Sequence, residues 1–197
     1  MSNNGTHYAI ILAAGNSSRM GMPKWKLALP GGDTFLGYIA RRYLEAGILP
    51  VAVVSQGSAN AVRNDCMAEG LITVENPFPE KGRMYSLQCG LQAVHAPACC
   101  FIHNVDNPFF SGPVISAMLA HLKDYDYVIP EIAGRGGHPV LLSSSLLIEI
   151  LKCKHPLPVL RDYLKGFNGL RWPVSEHGIL LNINTPGAYH EFLAGQG

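Results

Sequence analysis

Short continuous apolar runs alternate along the chain with longer segments in which apolar residues recur at helical spacing. The continuous runs predict strands that are covered on both faces, and the periodic segments predict amphipathic helices. The predicted strands are 8–12, 50–55, 71–74, 98–104, 127–130, 137–142, 169–174 and 178–183. The predicted helices are 35–46, 58–69, 84–95, 111–122, 143–152, 158–165 and 186–193. This alternation predicts β-α-β units joined by right-handed crossovers.

The same rhythm predicts the fold class. We expect a three-layer α/β/α protein in which helices cover both faces of a Rossmann-like, mostly parallel sheet. No linker, internal repeat or low-complexity block interrupts the sequence. A chain of this length can bury one sizeable core, so we expect a single domain over residues 1–197. The alternation becomes less regular after residue 130.

Composition narrows the possible functions. The net charge is only +1, which argues against nucleic acid or a membrane as partner and means that any anion site must be local. No apolar run approaches the ~20 residues of a membrane span, and the N-terminus has no signal-peptide features, so we expect a cytoplasmic protein. The five cysteines form no C-x-x-C pair, which indicates free thiols rather than a metal knuckle.

Open parallel sheets bind their ligands beyond the carboxyl ends of the strands. The segment 13–26 follows the first strand and reads "AAGNSSRMGMPKWK". It matches neither a P-loop nor a G-x-G-x-x-G motif. Its small side chains let the backbone approach a ligand, Arg19 offers a planar fork to phosphate oxygens, and Lys24 offers a mobile point charge. The segment therefore favours polyphosphate binding over an ordinary solvated turn.

Three further loops carry candidate groups. Asp106 follows a predicted strand and precedes Pro108, where it can hold Mg²⁺ or cap a turn. Gly82 and Ser86 begin a predicted helix whose amides can contact a base or ribose, although an unliganded helix start fits as well. His138 follows three glycines in "AGRGGHPVLL", which suits either close approach to a bulky second substrate or a hairpin with a packed histidine.

The stretch "LAAGNSSRMGMPK" resembles the L-A-A-G-x-S-x-R-M-G-x-x-K signature of the MobA-like nucleotidyltransferases at every fixed position. The resemblance implies the nucleotide-diphospho-sugar transferase type of fold. It also implies transfer of a nucleotidyl group from a nucleoside triphosphate to a phosphate acceptor, with release of pyrophosphate. The implied triphosphate-binding residues are Leu12, Ala13, Ala14, Gly15, Asn16, Ser17, Arg19 and Lys24.

The resemblance also gives roles to residues outside this loop. It implies that Asp106 is a Mg²⁺ ligand and a catalytic residue together with Arg19 and Lys24. It implies that Gly82 and Ser86 line the nucleotide base. The G-H-P-V sequence resembles the molybdopterin cytidylyltransferase branch, which implies that His138 contacts the acceptor.

The sequence departs from the family pattern near its end. "LLNINTP" resembles the D-I-D-T-P element of cytidylyl-type relatives, but Asn182 and Asn184 replace both aspartates. An asparagine oxygen is a weaker Mg²⁺ ligand than a carboxylate, so we expect both to be weak metal ligands. The Ala14 of "LAAG" is cytidylyl-like, whereas "NINTP" is guanylyl-like, so CTP is the expected donor and GTP the alternative.

These observations together predict transfer of CMP from CTP to a molybdopterin-type acceptor by direct in-line displacement. A first alternative is a sugar-phosphate or alcohol-phosphate nucleotidyltransferase. A second is a non-catalytic accessory protein that binds nucleotide during molybdoenzyme maturation. A transient contact with a molybdoenzyme is part of the prediction.

Overall fold

The computed structural model describes residues 5–66 and 68–195. Its centre is an eight-stranded sheet in the order β3-β2-β1-β4-β7-β5-β6, with β8 paired to β5. The strands are β1 (His7–Leu12), β2 (Leu49–Ser55), β3 (Ile72–Asn76), β4 (Cys99–Asn104), β5 (Tyr127–Ile132), β6 (Arg135–Gly136), β7 (Val140–Ser143) and β8 (Gly169–Pro173). The helices are α1 (Phe35–Glu45), α2 (Ala59–Asp65), α3 (Arg83–Gln92), α4 (Gly112–His121), α5 (Ser144–Lys152), α6 (Leu160–Tyr163) and α7 (Pro186–Ala194).

The first half of the sheet is wholly parallel. β1 lies between β2 and β4, and Tyr8 is opposite Leu49 on one side and Cys100 on the other. In the second half β7 runs antiparallel to both β4 and β5, while β8 is parallel to β5. The predicted α/β class with a mostly parallel central sheet is confirmed. The antiparallel β7 explains why the strand–helix rhythm is less regular after residue 130.

Two apolar clusters lie on opposite faces of the sheet because successive strand side chains point to opposite sides. Ile11 joins the cluster that contains α1, and Ile10 joins the cluster that contains α3. Helix α3 lies very close to the sheet, since a Cβ at Gly90 would be 2.8 Å from a methyl group of Ile10. This close contact packs α3 directly against Ile10 of β1 and Val53 of β2.

Most predicted elements form, with two informative differences. Helix α1 begins as predicted, because the Thr34 hydroxyl accepts a hydrogen bond from the Gly37 amide at 3.0 Å. The helix predicted over 58–69 already ends at Asp65. The strand predicted over 178–183 is wrong, because a 3₁₀ turn forms over His177–Leu180. Its apolar run is a short turn in which Ile179 and Ile183 are buried and Leu181 is exposed, not a sheet strand.

Within residues 5–66 and 68–195, no helix is both long enough and apolar enough to cross a membrane. All five cysteines are free, and three of them are buried, namely Cys66, Cys99 and Cys100. Burial raises the pKa of the Cys99 thiol to about 12. These thiols therefore behave as small apolar side chains.

Candidate active site

A small cavity of about 260 Å³ lies beyond the carboxyl ends of β1 and β4. The structure brings together around it every predicted site residue except His138 and Asn182. These residues are Leu12, Ala13, Ala14, Gly15, Asn16, Ser17, Arg19, Lys24, Gly82, Ser86, Asp106 and Asn184. Residues that are far apart in sequence meet here because parallel strands end at the same edge of the sheet.

The segment after β1 folds back on itself through Ser17. The Ala13 amide donates to the carbonyl of Val53 at 2.8 Å, which extends the strand by one residue. The Ser17 hydroxyl donates to the Gly15 carbonyl at 3.3 Å and accepts from the Lys24 amide at 3.2 Å. This fold brings Lys24 back over the start of the loop. A Cβ at Gly15 would meet no atom within 4 Å, so the loop leaves open space beside its backbone.

Lys24 contacts the other side of the cavity directly. Its Nζ lies 3.0 Å from Oδ2 of Asp106 and also donates a hydrogen bond to Oδ1 of Asn184. The exposed fractions of the Lys24 and Asp106 side chains are 18% and 8%. Coulombic attraction is stronger in such a partly dehydrated site than in bulk water. Arg19 also lines the cavity, but it is exposed and has no ion pair among the described residues.

The second carboxylate oxygen of Asp106 suits a cation. Oδ1 is buried and has no hydrogen-bond partner in the described part of the chain. A buried acceptor without a partner is costly, and a bound cation or donor removes that cost. Asn184 adds a neutral oxygen nearby, although the described residues contain no group of three His, Cys, Asp or Glu side chains. The residues present therefore fit a divalent metal that takes its other ligands from phosphate or water.

The turn that carries Asp106 rests on a buried histidine. His103 accepts a hydrogen bond from the Tyr43 hydroxyl at Nδ1, at 2.8 Å, and donates from Nε2 to the Asn107 carbonyl at 2.6 Å. Burial lowers the pKa of His103 to about 3, with the nearby His138 as a smaller cause. His103 is therefore neutral and structural.

Asn107 connects this turn to the segment before α7. Its Nδ2 donates to the carbonyls of Ile179 and Leu181, each at 2.9 Å, and the Ile183 amide donates to the Asp106 carbonyl at 2.8 Å. These bonds replace the strand pairing that the apolar run suggested. Sequence reasoning missed Asn107, because a side chain that satisfies distant carbonyls leaves no local pattern.

The two asparagines near the C-terminus lie in different surroundings. Asn184 faces Lys24 and the cavity, whereas Asn182 is exposed and donates to the Leu180 carbonyl at 3.0 Å. Ile183 between them is buried. The structure therefore brings only Asn184 beside Asp106, since side chains two apart need not share a partner in this irregular segment.

The start of α3 forms a further part of the wall of the small cavity. Gly82 has a φ of 88°, a left-handed value that favours glycine, immediately before the helix. The Ser86 hydroxyl is buried and accepts a hydrogen bond from the Asn76 side chain at 2.9 Å. Arg83, which sequence reasoning did not select, lines the cavity between these two residues. Its only sequence signal is its position directly after a glycine at the start of a helix.

His138 lies in a second, larger cavity of about 880 Å³. The two cavities share Leu12, Gly82, Arg83 and Asn104 as lining residues. Asn104 Nδ2 donates to His138 Nε2 at 2.7 Å, while the buried Nδ1 has no hydrogen-bond partner among the described residues. Burial lowers the pKa of His138, and the charge of Asp106 acts in the opposite direction.

The glycine-rich segment before His138 forms a hairpin, as one of its two readings predicted. Ile132 pairs with Arg135 across the turn, and the His138 amide then donates to the Ile179 carbonyl at 3.0 Å. A Cβ at Gly137 would lie 2.6 Å from that carbonyl oxygen. Glycine is therefore needed for this close contact, and the contact holds His138 beside the end of β4.

The sheet is mainly parallel, and at its carboxyl edge a cationic loop of small residues faces a carboxylate. This arrangement defines an α/β nucleotide-binding class of protein. Residues 9–166 match the MobA-like NTP transferase domain. The chain belongs to this family of NTP transferases, and the resemblance carried by "LAAGNSSRMGMPK" is confirmed.

One curated relative is the bifunctional enzyme IspD/IspF of Caulobacter vibrioides, which is 31% identical over 134 residues. The alignment covers 65% of this chain and 34% of the relative. The chain therefore spans about a third of the length of the curated relatives it matches.

Three solved structures share the fold. The molybdopterin-guanine dinucleotide biosynthesis protein A of Archaeoglobus fulgidus is 18% identical, with a TM-score of 0.70 over 96% of this chain and 100% of the other. The 4-diphosphocytidyl-2C-methyl-D-erythritol synthase of Anaerococcus prevotii is 16% identical, with a TM-score of 0.75 over 98% and 96%. A manganese complex of a Mycobacterium tuberculosis protein is 21% identical, with a TM-score of 0.74 over 96% and 98%.

Proposed function

We propose that this protein is a divalent-metal-dependent nucleotidyltransferase that transfers CMP from CTP to the phosphate of a molybdopterin-type acceptor and releases pyrophosphate. One observation carries the proposal: Lys24, at the end of the family's signature loop, meets Asp106 in a cavity at the carboxyl edge of the sheet. Membership of the NTP transferase family supports the class of reaction.

The loop after β1 binds the triphosphate in this proposal. Amides of residues 14–17 and the side chains of Arg19 and Lys24 donate hydrogen bonds to phosphate oxygens and stabilise the negative charge that develops on them. The acceptor phosphate is already anionic near neutral pH, so the reaction needs no strong general base. Positioning and electrostatic stabilisation supply the rate, as in other phosphoryl transfers.

Asp106 would hold the metal, with Asn184 as a weaker neighbour. The unpartnered Oδ1 of Asp106 supports this role, and the structural neighbour solved with manganese supports a divalent ion. The bound ion supplies additional positive charge next to the phosphates. We propose Mg²⁺ as the physiological ion.

The two adjoining cavities suit two substrates. We assign the small cavity to the triphosphate and the large one to the acceptor, with Arg83 and Asn104 in the wall that both cavities share. His138 contacts the acceptor side in this assignment. In this assignment the acceptor phosphate attacks the α-phosphorus where the two cavities meet. Gly82 and Ser86 lie next to this point and face the nucleoside.

The test is pyrophosphate release with each of the four NTPs, with and without a molybdopterin-type acceptor. We expect release only when the acceptor is present, and fastest with CTP because of Ala14. Faster release with GTP would overturn the choice of base but not the reaction class. No release with any NTP and any phosphorylated acceptor would refute the enzyme.

A second candidate is a nucleotidyltransferase for an alcohol phosphate or a sugar phosphate. The 31% identity to IspD/IspF favours it. An acceptor screen at fixed CTP and Mg²⁺ separates the two candidates, because only one acceptor class will give a low KM. Tight CTP binding without turnover would instead favour the non-catalytic accessory protein.

A further inference from the structure

The larger cavity has an unusual distribution of charge. Among the residues that the structure describes, six cationic side chains and no Asp or Glu line it. The six are Lys81, Arg83, Arg135, Arg161, Lys165 and Arg171. The whole chain has 15 Lys and Arg residues against 14 Asp and Glu. A large share of the positive charge is therefore concentrated on one cavity of a nearly neutral protein, which attracts anions to that cavity.

Internal ion pairs neutralise only part of this charge. Arg171 pairs with Glu131, while Lys165 at 2.6 Å and Arg161 at 4.0 Å share Asp162. Lys81 lies 4.0 Å from the ring centroid of Phe78, and neither it nor Arg135 forms an ion pair within residues 5–66 and 68–195. The cavity thus keeps more positive charge than Glu131 and Asp162 balance.

The cations divide into two groups according to the cavities that they line. Arg83 lines both cavities, so it lies next to the proposed site of reaction. The other five, namely Lys81, Arg135, Arg161, Lys165 and Arg171, line only the larger cavity. A single attacking phosphate beside Arg83 therefore leaves this second group balanced only by Glu131 and Asp162, with Arg135 and Lys81 outside any ion pair of the described residues.

The rest of the cavity suits a body of considerable size. Its volume of about 880 Å³ is in the range of pockets that hold drug-sized ligands, and Ile129, Leu157 and Leu160 supply apolar walls. The buried Nδ1 of His138 is a further polar atom whose partner is not in the described protein. A phosphate monoester with a small body would not fill this volume, and it would not pair with the cations that line only the larger cavity.

We propose that the acceptor carries, besides the phosphate that attacks, at least one further anionic group on a bulky, partly apolar body, and that Arg135 and Arg161 bind this second anion. The assignment of the ligand as the acceptor rests on the proposed function. The charge and shape of the cavity are independent of that function.

The test compares two probes that differ only in the second charge. Phenyl phosphate and 4-carboxyphenyl phosphate are titrated into the full chain by calorimetry, in the presence of Mg²⁺ and a non-hydrolysable CTP analogue. We expect the carboxylated probe to bind about 10-fold more tightly, because a hydrogen bond to a charged group contributes at least this much. The advantage should shrink as salt concentration rises.

Variants then locate the second anion. Arg135→Gln should abolish the 10-fold preference and leave phenyl phosphate binding unchanged, and Arg161→Gln should reduce the preference in the same way. Both positions are exposed, so the fold should tolerate the changes. Arg63→Gln, at an exposed position of α2 outside the cavity, is the matched control and should keep the full preference.

Equal affinity for the two probes would overturn the proposal. A preference that survives in both cavity variants, or that is lost in the Arg63→Gln control, would also overturn it. The proposed function and the second-anion proposal can be refuted separately. If the carboxylated probe binds more tightly but no acceptor receives a nucleotidyl group, the proposed function alone is refuted. If acceptors receive the nucleotidyl group but a second anion brings no gain in affinity, this inference alone is refuted.

Discussion

The two adjoining cavities are built from different parts of the protein and in different ways. The small one is formed by the ends of the parallel strands β1 and β4, and backbone atoms and small side chains make up much of its wall. The large one is formed mostly by the irregular second half of the sheet, and long side chains on α6 and β8 line it. The small site depends on the fold and on its few charged side chains, Lys24 and Asp106 above all, whereas the large site depends on the combined charge of several separate side chains. We therefore expect substitutions to affect the two cavities differently.

The largest effect should follow from removing the cation of the small cavity. Lys24→Ala should lower kcat by about 10²–10³, the usual result of removing a donor to a developing negative charge. The measurement is pyrophosphate release at saturating CTP and acceptor. Lys26→Ala is the control, since Lys26 lies outside the cavity, pairs with Asp65 at 2.9 Å and lies over the Trp25 ring, and it should leave kcat unchanged. Near-normal turnover of Lys24→Ala would contradict the role given to this cavity.

A smaller effect should separate the two asparagines. Asn184→Asp adds a carboxylate beside Asp106, so we expect half-maximal activity at a Mg²⁺ concentration about 10-fold lower. Asn182→Asp is the matched control, because Asn182 is exposed and outside the cavity. A metal titration of both variants checks this. Equal shifts in the two variants, or none in either, would show that Asn184 does not lie near the metal.

A third effect concerns stability rather than rate. An unfolded histidine binds its proton near pH 6.5, but His103 in the fold does so only near pH 3. Between these values the unfolded chain binds more protons, so stability is full above pH 6.5 and falls as the pH is lowered. The slope from this group is about 1.4 kcal/mol per pH unit.

Urea unfolding at a series of pH values measures this slope. His103→Gln should be less stable at neutral pH, because it disrupts the bonds to Tyr43 and Asn107. It should nevertheless show a shallower fall toward acid, because the group that titrates is gone. An unchanged slope in the variant would mean that His103 is not the buried neutral group beneath Asp106.

The small cavity was largely predictable from sequence, and the large one was not. Loop 13–26 is a continuous stretch, so the order of its residues was enough to identify the family and to predict the chemistry of the loop. Asp106 was found because a carboxylate after an apolar strand is a local signal. The cations of the large cavity come from separate segments, and no local pattern indicates that Arg135 and Arg161 line the same space.

The segment 178–183 was misassigned for the same reason, because a contact between distant segments decides its structure. Its apolar run is as compatible with a strand as with a buried turn. The deciding interaction is the Asn107 side chain, which is more than seventy positions away and satisfies carbonyls that a strand would pair with a neighbour. Arg83 was missed because a single arginine at a helix start has no distinctive spacing.

The ammonium group of Lys24 has a consequence for the resting protein. A nearly buried carboxylate without a counter-charge would be costly, and Lys24 removes that cost while no substrate is bound. Under the proposed function the same ammonium group would also contact the phosphate chain, so substrate entry would redistribute its contacts away from Asp106 and Asn184. The cleft without substrate therefore contains its own internal counter-ion, which would move to the polyphosphate on binding and return to Asp106 when the products leave.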